Sequence, residues 1–193
     1  MKKRSNKKRT HTGEDIRIKI VAATIAAARY INDPRFWRTE RGFHGAFYYE
    51  LWGVLLSLEV LCGARILEME YQKSHRHDMS QRPDIILHIP AEFHNLGVRR
   101  GNFAVWALKR RASAQSAAAD FENLDEMFAK LDYPLGFFLN IDSDVTYFNT
   151  YRGPFKNRLH ACALCYGTSR PHIRHSLYLD GTLRDRTYAI ESA

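Results

Sequence analysis

The spacing of apolar side chains divides the chain into stretches of helical and strand-like period. Ile18, Val21, Ile25 and Ala28 recur at three- and four-residue intervals and predict a helix running to about Tyr30 or Ile31. Thr12 followed by Asp15 resembles a capping box at its start. Asn32-Asp33-Pro34 stops it, because the residue before proline disfavours helical backbone. A second helix is expected over residues 40–62, closed by Gly63. In it Phe43, Phe47, Leu51, Val54, Leu58 and Leu61 form one stripe at about 100° per residue. Glu40 projects into that stripe, whereas Glu50 and Glu59 fall to either side. A carboxylate aimed at a core requires a reason.

After this helix the period shortens. Residues 64–71 (ARILEMEY), 84–89 (DIILHI) and 103–109 (FAVWALK) read as strands, with residues 74–81 as a loop. Residues 113–131 return to helical spacing, with Ala117, Phe121, Leu124, Phe128 and Leu131 on one side. Residues 133–141 (YPLGFFLNI) and 158–166 (RLHACALCY) predict two more strands. Residues 170–193 suggest a loop and a short hairpin around Asp180-Gly181. Two helices, three strands, a helix and further strands make an α/β fold with a mixed central sheet flanked by helices. The expected organisation is a basic arm over residues 1–13 and one domain over 14–193.

Composition narrows the functional classes. Hydrophobic residues make up 45% and aromatics 12%, enough to form a core and to exclude disorder over most of the length. The net charge of +8 suits a polyanionic partner. Six of the first nine residues are basic (Lys2, Lys3, Arg4, Lys7, Lys8 and Arg9), an arm suited to gripping phosphates. Three cysteines form no disulfide framework, and no secretory signal or membrane-length apolar run is visible. A reducing, cytoplasmic setting is therefore expected, with no membrane contact.

The chemistry-bearing residues lie at the strand ends. Arg82-Pro83-Asp84 opens one strand, and the next ends in Ala107-Leu108-Lys109. Singly, Asp84 would pass as a polar strand start and Lys109 as a strand-end charge. Taken in order, TERGFHGAFYYEL, MEYQ, RPDIILH, NFAVWALKR, ADFENLDEMFAKL and YPLGFFLNI resemble the PD-(D/E)xK, or restriction-endonuclease-like, nucleases over about half the chain. The resemblance implies a restriction-endonuclease-like fold and Mg2+- or Mn2+-dependent hydrolysis of DNA. Asp84 and Glu40 match the acids that hold the cation, the Leu108 carbonyl a further ligand, and Lys109 the group that orients water or steadies the transition state. An intervening residue between acid and lysine puts both on one strand face. Partners implied are DNA, a homodimer, or a larger complex of antiviral defence or of a mobile element.

Position 107 departs from the pattern. Glu, Asp or Gln is expected there, and alanine has no ligating atom. Two accounts stand: natural loss of catalysis, leaving a DNA-binding or scaffold subunit, or a deliberate carboxylate-to-alanine substitution in a nuclease. The intact surroundings favour the second, which would make this chain inactive. Glu70 on the preceding strand reads either as a supporting residue or as an exposed alternating one, and His44, one turn beyond Glu40, reads as a satisfied helix histidine. A zinc-stabilised interaction protein is a third reading, resting on His160, Cys162, Cys165, His172 and His175. Against it, Cys162 and Cys165 would face opposite sides of a regular strand and pack as small hydrophobes.

Overall fold

In the computed structural model, which describes residues 13–69, 83–93 and 100–190, seven strands form one mixed sheet. The strands are β1 (Ile66–Met69), β2 (Ile85–His88), β3 (Asn102–Arg110), β4 (Gly136–Ile141), β5 (Leu159–Cys165), β6 (His172–Leu179) and β7 (Thr182–Ala189). They lie in the sheet in chain order. β3, β4 and β5 run parallel to one another, and antiparallel pairs extend the sheet on either side. Parallel neighbours need long crossovers. Helix α4 (Ala114–Leu131) supplies the first, and residues 142–158 supply the second without a long helix.

Helices α1 (Gly13–Tyr30) and α3 (Glu40–Ser57) pack on one face. Their Ile20, Phe43, Phe47 and Leu51 meet Trp106, Leu108, Phe137 and Leu139 of the sheet. On the opposite face, Phe121, Leu124 and Phe128 of α4 meet Val105 and Phe138. The predicted face of α4 is buried throughout, and β2 and β4, covered on both sides, are buried without alternation.

Several expectations need correction. Ile18 is 63% exposed, and α1 instead buries Ile20, Ala23, Thr24 and Ala27 beside Ile25 and Ala28. The small side chains let α1 lie close against its neighbours, so its inner face is set by alanines that carry little periodic signal. Helix α3 ends at Ser57 rather than near 62, where Glu59 takes a left-handed backbone (φ 58°). Leu55 is fully buried, while Val54, Leu58 and Leu61 are only partly so. Asp33 does end the first helix, but it also caps a short one, α2 (Pro34–Trp37), that the spacing does not predict. The hairpin at Asp180-Gly181 forms where expected, but with longer strands. Two eight-residue strands join at Asp180-Gly181, both at positive φ (50° and 74°), as a tight primed turn requires. The proposed Thr12 cap, the loop at 74–81, Glu70 and the six cations of the arm lie outside the described residues. Among the described residues, no helix is long and apolar enough to cross a membrane.

Candidate active site

The site forms where β3 outlasts its neighbour. The β2–β3 ladder ends at the Ile85–Trp106 pair, but β3 continues to Arg110. The N–H groups of Val105 on β3 and of Arg111 just past its end donate toward β4, to the carbonyls of Leu135 and Ile141. Strand alternation turns the intervening N–H groups, those of Leu108 and Arg110, toward the side β2 has vacated. Carboxylates take the place of the missing strand. Asp84 Oδ2 accepts from Leu108 N at 2.7 Å, and Glu40 Oε2 accepts from Arg110 N at 2.9 Å. Leu108's carbonyl shares the side of its N–H and faces the same gap.

Local structure fixes each group. Thr39 caps α3 by accepting from Gly42 N, which leaves Glu40 in the first turn. Arg110 ties the end of β3 to the chain entering α3: Nε donates to the Trp37 carbonyl at 3.3 Å, and Nη2 pairs with Asp142 at 2.6 Å. Asp84 follows Pro83, whose ring restricts the approach to β2. Lys109 stands on the same face of β3 as Ala107, which packs against the α4 layer.

Glu40, Asp84, Ala107, Lys109, Asp120 and Asn123 are among the residues lining a cleft of about 130 Å³. Glu40, Asp84 and Lys109, the residues the sequence pointed to, thus line one cleft together with Ala107 and Leu108. Asp120 was not foreseen. It comes from α4, and its Oδ2 is buried without a hydrogen-bond partner. Burial pushes its carboxyl up to about 6; the charges of Asp84 and Glu40 push the same way, and Lys109 opposes them. Asp84 is also raised, chiefly by burial, against the Leu108 N–H and the nearby His44 and Lys109. A signal for Asp120 was present. It lies about 60° around the helix from Ala117, between Leu124 and Met127 on the apolar arc, the same anomaly that marked Glu40.

His44 is not satisfied as expected: its Nε2 is buried with no hydrogen-bond partner. The cysteines and histidines do not gather into one metal-holding group: Cys162 lies opposite His175, and Cys165 opposite His172, across β5 and β6. Cys162 is buried in the α1–α3 core, whereas Cys165, partly exposed, lies beside Thr168. His172 contacts Asp144, and His160 and His175 hydrogen-bond to each other at 2.9 Å.

The cleft's donors are of the hard oxygen type that Mg2+ prefers: three carboxylates, one of them (Asp120) with an orphaned buried oxygen, and one carbonyl. In chemistry this set fits such an ion. Among the described residues, no three His, Cys, Asp or Glu side chains are drawn together as a ready-made metal centre. Asp84 and Glu40 each spend one oxygen on β3 instead. Comparison of the chain with protein-family models, curated proteins and solved structures finds no match.

Proposed function

We propose that the chain is a Mg2+- or Mn2+-dependent nuclease of the PD-(D/E)xK type, with a restriction-endonuclease-like fold, that hydrolyses DNA in the cytoplasm. The observation that carries this reading is the convergence of Glu40, Asp84 and Lys109, from three separate segments, in one cleft where β3 runs on past the end of β2. The excess of basic residues supports a polyanionic substrate.

Asp84 and Glu40, through the oxygens not engaged by β3, and the Leu108 carbonyl would hold the ion. Such an ion polarises the phosphate and acidifies water. The chain's own contribution is positional. The Lys109 ammonium, on the cleft side of β3, would orient the attacking water and offset charge growing on the phosphate oxygens. Water adds to phosphorus as the bond to the leaving sugar oxygen breaks; the water loses a proton and the leaving oxygen gains one.

A second reading, a non-catalytic DNA-binding or scaffold subunit, is favoured by the methyl group at Ala107. The test is direct: purified chain and Asp84→Asn are incubated with single- and double-stranded DNA and Mg2+ or Mn2+. Metal-dependent cleavage lost in Asp84→Asn supports the nuclease. DNA binding without cleavage under either metal supports the second reading.

A further inference from the structure

Position 107 is filled by the smallest side chain with a Cβ, and the face it leaves bare is the face α4 covers. The turn into α4 is tightly specified. Ser113 caps the helix in a capping box with Ser116. Asn140, fully buried on β4, accepts from Ala112 N at 2.9 Å and donates to Ser143 Oγ and the Val145 carbonyl. With its start held there, the helix travels back over β3, and Asp120, six residues past Ala114, has returned by about 9 Å. On β3 that is about three residues of strand, which sets Asp120 level with the segment holding Ala107 and Lys109. The cleft lining agrees.

We propose that Asp120 supplies the carboxylate that position 107 lacks, so that the chain as it stands carries a complete acidic set for a divalent cation. The inference rests on the nuclease reading and deepens it. Ala107 is then neither a natural loss nor a disabling substitution. It is the small residue that leaves room for an acid arriving from the helix, since a longer side chain at 107 would point at the same space. The buried, unpartnered Oδ2 is the independent mark of a missing ligand: an aspartate placed only for packing or capping would have found a donor. The neighbouring charges fit as well. Asp84 and Glu40, which line the same cleft, disfavour a third anion there, and a bound cation would reverse that.

The test is Mn2+ binding to the full chain, without DNA, read by calorimetry and by the thermal shift the ion produces. Asp120→Asn and Asp84→Asn should each weaken Mn2+ by about tenfold or more, while Glu122→Gln, on the exposed side of α4, leaves it unchanged. Returning the acid to the strand in Asp120→Asn/Ala107→Glu should restore most of the affinity, which a purely structural role could not explain. Asp120→Ala, read beside these, covers a packing defect caused by the amide. If Asp84→Asn abolishes binding and neither Asp120 variant changes it, Asp120 is not a ligand, and the nuclease reading survives. If the parent chain binds no Mn2+, or Asp84→Asn binds as the parent does, both are overturned.

Discussion

Asp84 and Leu108 are joined side chain to backbone, with Leu108 N donating to Asp84 Oδ2 at 2.7 Å. The bond completes one rung of a β-ladder that β2 is too short to make. It also orients a partly buried carboxylate so that its second oxygen is left over. One contact therefore serves two functions, closing an edge of the sheet and presenting an acid, and substitutions can separate them.

At Asp84, alanine and asparagine should differ. Asp84→Ala leaves Leu108 N without its acceptor and should cost about 1–3 kcal/mol in urea melts. Asp84→Asn can still accept through its amide oxygen and should melt within about 1 kcal/mol of the parent. Both should abolish metal-dependent cleavage. A cleaving Asp84→Asn variant would remove Asp84 from the chemistry.

Glu40 stands at the first turn of α3, where a carboxylate is favoured by the helix dipole whatever else it does. If that were its whole role, Glu40→Gln would cost about 0.3–1 kcal/mol and leave cleavage alone. As a site carboxylate, its replacement should slow the single-turnover rate or raise the metal requirement. DNA binding in calcium should stay intact, and Glu59→Gln should do neither. A Glu40→Gln enzyme that melts lower yet cuts at the parent rate settles against it.

The His160–His175 pair should make stability pH-dependent. Burial is the main cause that lowers both rings, His160 to about 3 and His175 to about 4; for His160 the next causes are His175 and Arg17, for His175 it is Arg186. Their folded values lie below the unfolded one, so their stabilising contribution is full above about pH 6.5 and is lost as the pH falls. Between pH 7.5 and 5 the chain should lose on the order of 2–4 kcal/mol from the two rings together. Replacing both with glutamine should flatten that slope, measured by urea unfolding at the two pH values. An equal slope in the double variant would show that these rings are not the cause.

Nucleic-acid affinity should fall steeply with salt, because six cations crowd the first nine residues of a chain of net charge +8. Deleting residues 1–10 should reduce the slope of log K against log salt by about 0.9 for each phosphate contact removed. An unchanged slope makes the arm a spectator.

What the sequence determined by itself was the set of elements with strong period. The α4 face from Ala117 to Leu131 and the strands around Ile85, Trp106 and Phe138 follow from local patterning, because a helix or a doubly covered strand must bury what it carries. The anomaly of Glu40 was legible for the same reason, as a charge on an apolar stripe. Where small residues do the packing, as along α1, period carried less, and Ile18 was misplaced. Only the tertiary structure decided that Leu108 and Arg110 would find carboxylates rather than a strand, since that depends on where β2 stops in a ladder between distant segments. It also decided that Asp120 lines one cleft with Ala107. A motif read along one strand has no means of registering an acid that arrives from a helix, because their proximity is fixed by the crossover from β3 to α4 and not by spacing within either.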